Sequence, residues 1–408
     1  MPDDFTGFVA DHSIPLSTLD PDAPLDDLEP LADVFGQARV VAIGESSHFV
    51  AEYYRLRHRL LRLLAERRGF TVFALESGFS EGLAVDAWVQ GGPGDLRGIA
   101  DESITYRMGQ CAPMRMHLAW MREAGLRFAG LDVPGGTGSL LPALGHLAAF
   151  ARKADPDALE TVDRICANAE KYASEHTLLA YRDYAAMEQA ARDEMTALLA
   201  ELGTRFDALE PEYSAYADYR TVRHELRLAT LADQALRSYA GRITGQITHP
   251  KVAARDRGIA ETACWLLDEY GPKTKVLIGA HNSHLQRSPV VTPEFALSAA
   301  GHQLAHRLGD DYVSVAVTCV AGQAAGRRAN PEAPGGAEVF AADLPPTPES
   351  SVEAQVPALH ALDLRPARGR FPGPDRIRLI DGFLKTSVVD AHDVVVNLPL
   401  ATLADQLA

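Results

Sequence analysis

At 408 residues the chain is long enough for one large domain or two of ordinary size. Its 47% hydrophobic and 23% charged content is that of a soluble globular protein, and a formal net charge of −16 speaks against nucleic acid or an anionic membrane surface as partner. Four scattered cysteines (Cys111, Cys166, Cys264, Cys319) without a CxxC pair speak against a disulfide framework or a zinc knuckle and for free buried thiols.

The N-terminus, "MPDDFTGFVADHSIPL", is acidic and lacks the basic and apolar regions of a signal peptide. No later segment approaches the ~18–20 apolar residues that span a bilayer, so a cytoplasmic location is expected.

The first element is "ARVVAIGESSH", a continuous apolar strand from Val40 to Ile43 that stops at Gly44. "EYYRLRHRLLRLLAERRGF" follows with Tyr53, Leu56, Leu60, Leu63 and Leu64 at helical spacing and Gly69 as a C-cap. "TVFALES" is the next buried strand, Val72 to Leu75. A strand–helix–strand unit of this kind is parallel and right-handed. The pattern returns in "HLAWMREAGLRFAGLDVPGG", with a strand from Arg127 to Leu131 ending at Asp132. It returns again in "RDRGIAETACWLLDEYGPKTKVLIGAHNSHL", with a strand from Lys275 to Ile278. "DDYVSVAVTCVAG" and "HDVVVNLPLA" supply two more strands.

An α/β fold is expected: an open, mostly parallel sheet of four or five such strands, flanked by helices, with its site at the carboxyl edge. Residues 139–241 are almost wholly helix-forming and read as an insertion forming a lid over that edge. They separate a first part of the core, 1–138, from a second, 242–408. Residues 321–348 are rich in Gly, Pro and Ala and read as a loop.

Four strand ends carry polar side chains: Glu45 with His48, Glu76, Asp132, and His281 with His284. In a parallel sheet these ends share one edge. Histidine accepts a proton near neutral pH, and a neighbouring carboxylate fixes its tautomer and raises its basicity. Further histidines can donate to an oxyanion, and Arg57, on the first helix, can pair with a carboxylate or anchor a substrate. Each piece alone has a structural reading, such as a helix cap for Glu76 or a satisfied polar residue for His48. Their joint occurrence at successive strand ends points to a site. No GxSxG elbow or GxxxxGK[ST] loop competes with it.

"GESSH", Glu52 and Arg57, "ALESG", "YRMGQCAPMRMHLAWMREAG", "FAGLD", "RDRGIAE" and "GAHNSHL", in that order, resemble the erythromycin esterase family over about residues 38–325 and again near "AHDVVVNLP". The resemblance implies hydrolysis of an ester or macrolactone of a bulky natural product, with a macrolide or related polyketide as the small-molecule partner. It implies a water activated by His48, with Glu45 beside it and no covalent intermediate. Glu76 would orient the base or the water, and His281, His284 and Arg57 would bind substrate or stabilise the oxyanion, all facing one cavity. Asp132 is counted with the substrate-binding residues. Phe49 stands where relatives commonly have glycine, narrowing the cleft floor or adding an apolar wall.

The resemblance implies a site without cofactor. The alternative is a divalent ion such as zinc or manganese on His48, Glu76, His281 and His284. An alternative function is a biosynthetic tailoring enzyme that uses the same histidine for elimination or another proton transfer.

Overall fold

The computed structural model describes residues 4–245, 253–292, 296–330, 332–333 and 337–405. In chain order its strands are β1 (Ser13–Pro15), β2 (Val40–Ile43), β3 (Val72–Gly78), β4 (Arg127–Asp132), β5 (Val276–Gly279), β6 (Val290–Val291) and β7 (Ala296–Leu297). They continue with β8 (Tyr312–Ala329), β9 (Ala337–Asp343), β10 (His360–Asp363), β11 (Arg376–Leu379), β12 (Gly382–Lys385) and β13 (Val394–Ala401). One nine-stranded sheet has the order β1-β10-β13-β8-β2-β5-β3-β4, with β9 paired to β8; β6 with β7 and β11 with β12 form two small ribbons.

The run Val40-Val41-Ala42-Ile43 is apolar at every position because both faces of β2 are covered, as expected for the interior of a parallel sheet. Val41 and Ile43 pack with Leu56, Leu60, Leu63 and Leu64 of the helix Ala51–Arg68 and with Met114 and Leu118 of the helix Ala112–Ala124. Val40 and Ala42 point the other way, onto Ile259 and Ala263 of the helix Ala254–Glu269 and Leu304 of Ala300–Leu308. Gly69 closes the helix Ala51–Arg68 at φ 72°, the left-handed cap that glycine adopts without strain.

Six strands, β13, β8, β2, β5, β3 and β4, run parallel, one or two more than expected, while β10 and β1 add an antiparallel edge. β5 lies between β2 and β3, so the two strands that open the chain's first crossover are not neighbours. Between Leu141 and Ile243 the described elements are all helical, and they enclose a core of their own around Leu144, Leu199, Leu226 and Leu236.

Within residues 321–348, expected as loop, 323–329 and 337–343 pair as the two strands of a hairpin. β8 continues to Ala329, and β9 pairs back on it from Gln323↔Asp343 to Ala329↔Ala337. Small side chains made the segment look like a linker, yet Ala325 is buried in the main core and Val339 packs against it. Backbone ladder bonds and those two contacts supply an order that composition does not report.

Candidate active site

The carboxyl ends of β2, β5, β3 and β4 stand side by side and present, in that order, Glu45 with His48, His281, Glu76, and Asp132. Glycine and an amide fix the first two tips. Asn282 Nδ2 donates to Val317 O of β8 at 2.9 Å, Val317 N–H donates to Asn282 Oδ1 at 3.2 Å, and Asn282 N–H donates to Glu45 O at 2.9 Å. A Cβ on Gly44 would overlap that Oδ1, so the glycine is required by the staple between β5 and β8. On β3 the register with β4 shifts between Leu75 and Gly78, an irregularity that re-aims Glu76.

His48 Nδ1 lies 2.6 Å from Glu45 Oε1 and donates to it, which leaves Nε2 as the basic nitrogen; that atom lies 3.8 Å from Glu76 Oε1. Arg57 Nη1 donates to Glu45 Oε2 at 3.1 Å from below, with the arginine only 1% exposed. Burial pushes the Glu45 carboxyl up, but the Arg57 charge and the His48 hydrogen bond outweigh it and hold the group below its ordinary range.

Glu76 is shared. His281 N–H donates to Oε2 at 2.7 Å and Arg255 Nη2 donates to Oε1 at 2.7 Å. Burial would raise its pKa, but the charges of His284, His48 and Arg255 overcome that, and the carboxyl is held well below the usual value. Arg255 also grips Asp132, with Nη2 2.6 Å from Oδ2 and Nε 3.1 Å from Oδ1, and Nη2 donates to Tyr106 Oη at 3.1 Å. Asp132 is fully buried under this guanidinium.

The two late histidines differ. His281 Nε2–H donates to Ser46 O at 2.9 Å and Nδ1 accepts from Ser283 N–H and Oγ–H, so both ring nitrogens are committed. Burial, followed by the His48 charge, pushes it down to about 4 and keeps it neutral. His284 Nδ1 donates to Asp256 Oδ1 at 2.9 Å, and Nε2 faces Glu76 Oε1 at 3.4 Å and Arg255 Nη1 at 3.3 Å. Burial pulls its pKa down, but Asp256 and Glu76 raise it to about 9.

The four candidate ligands do not fit a metal. His281 has no free nitrogen, and the Arg255 guanidinium sits against Glu76 and His284 where the ligands would have to converge. Among the described residues no group of three His, Cys, Asp or Glu is arranged to hold one.

A cavity of about 670 Å³ adjoins this cluster. Residues Ser139, Pro142 and Ala173 to Thr177 of the helical segment form one wall, with Phe49, Tyr106 and Arg327 where the cavity meets the cluster. Tyr106 stacks on His48 with ring centroids 6.2 Å apart, and Phe49 meets it edge-on at 6.1 Å. None of Glu45, His48, Glu76, His281 and His284 lines the cavity itself. Phe49 lines the cavity, on backbone at φ 64°. Arg57, read as pairing with a carboxylate or anchoring a substrate, is the buried partner of Glu45, whereas Asp132, read as substrate-binding, is the buried partner of Arg255.

Sequence reasoning missed Arg255, Asp256, Tyr106 and Arg327. Arg255 and Asp256 stand in "RDRGIAE" and Tyr106 in "YRMGQ", stretches that carried the resemblance without being given roles. Only Arg327, inside the presumed loop, left no signal.

A family model for erythromycin esterase matches residues 65–399. The erythromycin esterase type II of Escherichia coli is 32% identical over 333 residues, 79% of this chain and 78% of that protein. The chain belongs to the erythromycin esterase family. The type I enzyme of Escherichia coli is 25% identical over 303 residues, 72% of this chain and 73% of its own. The solved open conformation of an EreC erythromycin esterase mutant superposes with a TM-score of 0.85 at 22% identity, covering 96% of this chain and 98% of that one. A succinoglycan biosynthesis protein shares the fold at a TM-score of 0.76 and 18% identity, covering 98% and 97%. With the family comes its chemistry: the chain is a carboxylic-ester hydrolase. Among the described residues no helix is long and apolar enough to cross a membrane.

Proposed function

We propose that this erythromycin esterase-family protein opens an ester or macrolactone of a bulky natural product, a macrolide or related polyketide, by attack of a His48-activated water without cofactor. The observation that carries the reading is the Glu45–His48 pair. With Nδ1–H committed to Glu45 at 2.6 Å, the Nε2 lone pair is the one available to a water.

As the water oxygen bonds to the ester carbon, its proton passes to His48 Nε2 and the carbonyl π pair moves onto oxygen. Collapse of the tetrahedral species breaks the carbon–oxygen bond to the leaving alkoxide, which takes the proton from Nε2–H. Glu45 holds the ring and stabilises the imidazolium, and Glu76, ionised 3.8 Å from Nε2, orients the water and shares that charge. His284 and Arg255 hold Glu76 in place. The cavity lies within the roughly 300–1,000 Å³ of small-molecule sites. The two Escherichia coli relatives named for erythromycin point to the same substrate class.

The test is a mass spectrum of a macrolide panel incubated with the protein and with the His48→Ala variant. A gain of one water that requires His48 is the expected result. A product of unchanged mass, or one lacking a water, would move the chain to elimination chemistry.

A further inference from the structure

Several arginines surround the site, and most are committed. Arg57 lies under Glu45, Arg255 is spread over Asp132, Glu76 and Tyr106, and Arg107 pairs with Glu175 at 3.2 Å. Arg327 is different. Its guanidinium carbon lies 5.1 Å from the Phe49 ring centroid and 5.3 Å from that of Tyr106, within cation–π range of both. It forms part of the cavity wall, and its Nη2 is buried with no hydrogen-bond partner. The neighbouring Arg328 points to the opposite face of the hairpin, as strand alternation requires, and pairs there with Glu338.

The two rings that flank Arg327 also flank His48. Both are carried on strained backbone: Phe49 has φ 64° and Tyr106 φ 60°, left-handed conformations that bulky residues rarely adopt. Strain of this kind persists where the surroundings impose it, and it collects at working sites. Here it presents two aromatic faces to one cation. A guanidinium packed between rings that also lines the cavity is pre-oriented to bond an oxygen brought there.

We propose that Arg327 is a catalytic residue of the hydrolysis: an N–H of its cavity-lining guanidinium binds the carbonyl oxygen of the ester, and the bond strengthens as that oxygen takes the negative charge of the tetrahedral intermediate. Phe49 and Tyr106 are its positioning residues. The hairpin β8–β9 thereby contributes to the chemistry. The inference rests on the hydrolase reading above, since it assigns the oxygen on which His48-driven attack places charge.

The experiment measures kcat and KM with erythromycin and with p-nitrophenyl acetate for the wild type, His48→Ala, Arg327→Gln, Arg327→Lys and Arg327→Ala. Wild-type turnover that His48→Ala abolishes secures the hydrolase reading and sets the baseline. Against it, Arg327→Gln is expected to lose about 10²- to 10³-fold in kcat with little change in KM, and with an unchanged melting temperature. Arg327→Lys should keep part of the rate, and guanidinium ion should partly restore Arg327→Ala. Unchanged kcat, or a loss confined to KM, would make Arg327 a wall of the cavity and overturn the proposal while leaving the hydrolase intact. A wild type that turns over neither ester would overturn both.

Discussion

Glu45 and His48, three residues apart just beyond β2, are joined by a 2.6 Å hydrogen bond whose far side is closed by Arg57. The pair is local in sequence, so the loop that forms it also sets its geometry. Glu45→Gln keeps the shape but removes the charge that stabilises the imidazolium and fixes the tautomer. A fall in kcat on the order of 10²- to 10⁴-fold is expected, measured per folded molecule because Arg57 also loses its ion partner. A variant with wild-type kcat would remove His48 as the base.

Arg255 holds two buried carboxylates at once. Removing one partner of a buried ion pair leaves an uncompensated charge, so Arg255→Met should cost about 3–5 kcal/mol in urea unfolding. Adding Asp132→Leu to that variant should recover part of the loss, because the stranded charge goes too. Additive effects of the two substitutions would show that they are not coupled.

Gly44→Ala places a methyl group where the Asn282 amide staples β5 to β8. The amide is fixed from both sides, so the strain cannot be relieved by rotation, and a loss of about 1–3 kcal/mol is expected. Glu45 and His281 lie next to the overlap, so activity should fall further than stability. Equal melting temperatures for the two proteins would mean that the tips can shift apart freely.

Phe49→Gly sets two effects against each other. Relieving a left-handed bulky residue gains roughly 1–2 kcal/mol, whereas deleting a buried aromatic ring costs roughly 3–5 kcal/mol. Ring loss wins, and the variant should be less stable by about 1–4 kcal/mol in denaturant unfolding. A stabilised variant would show that strain dominates at this position.

The pH dependence of stability has two limbs. Burial holds His58 and His281 near 4 and His224 and His392 near 3, all below the ordinary histidine value. As pH falls from about 6.5 towards 4 and 3, the unfolded chain takes up these protons before the folded one does, so stability drops. His284, raised to about 9, acts the other way: its contribution is complete below about 6.5 and is lost as pH rises to about 9. Melting temperatures followed across pH should therefore peak near 6.5, and His284→Asn should flatten the alkaline limb. An unaltered alkaline limb in that variant would dismiss His284 as its cause.

The centre of the parallel core was legible because Val40–Ile43, Val72–Leu75 and Val276–Ile278 are unbroken apolar runs leading to polar tips, a pattern set by burial on both faces. Glu45, His48, Glu76, His281 and His284 were legible for the same reason: they stand at those tips. What lay beyond reading was long-range pairing. Nothing local in Arg57 says that it ends beneath Glu45, or in Asp132 that Arg255 will cover it. The order of strands, with β5 between β2 and β3, is likewise decided by packing across the sheet. The hairpin of β8 and β9 escaped because its small residues fit a ladder as readily as a linker.

That interposed strand has a consequence for how the molecule comes into being. β2, β3 and β4 leave the ribosome well before β5, and the gap between β2 and β3 must stay open while the helical segment is synthesised. Until Val276–Gly279 slides in, Glu76 lacks the His281 amide and the sheet has two raw edges facing each other. Closure over so long a stretch of chain is slow and leaves those edges open to other chains. A protein cut short before β5 would leave Glu76 without the His281 amide and is expected to be inert rather than weakly active, so the polar cluster cannot be complete until that strand is in place.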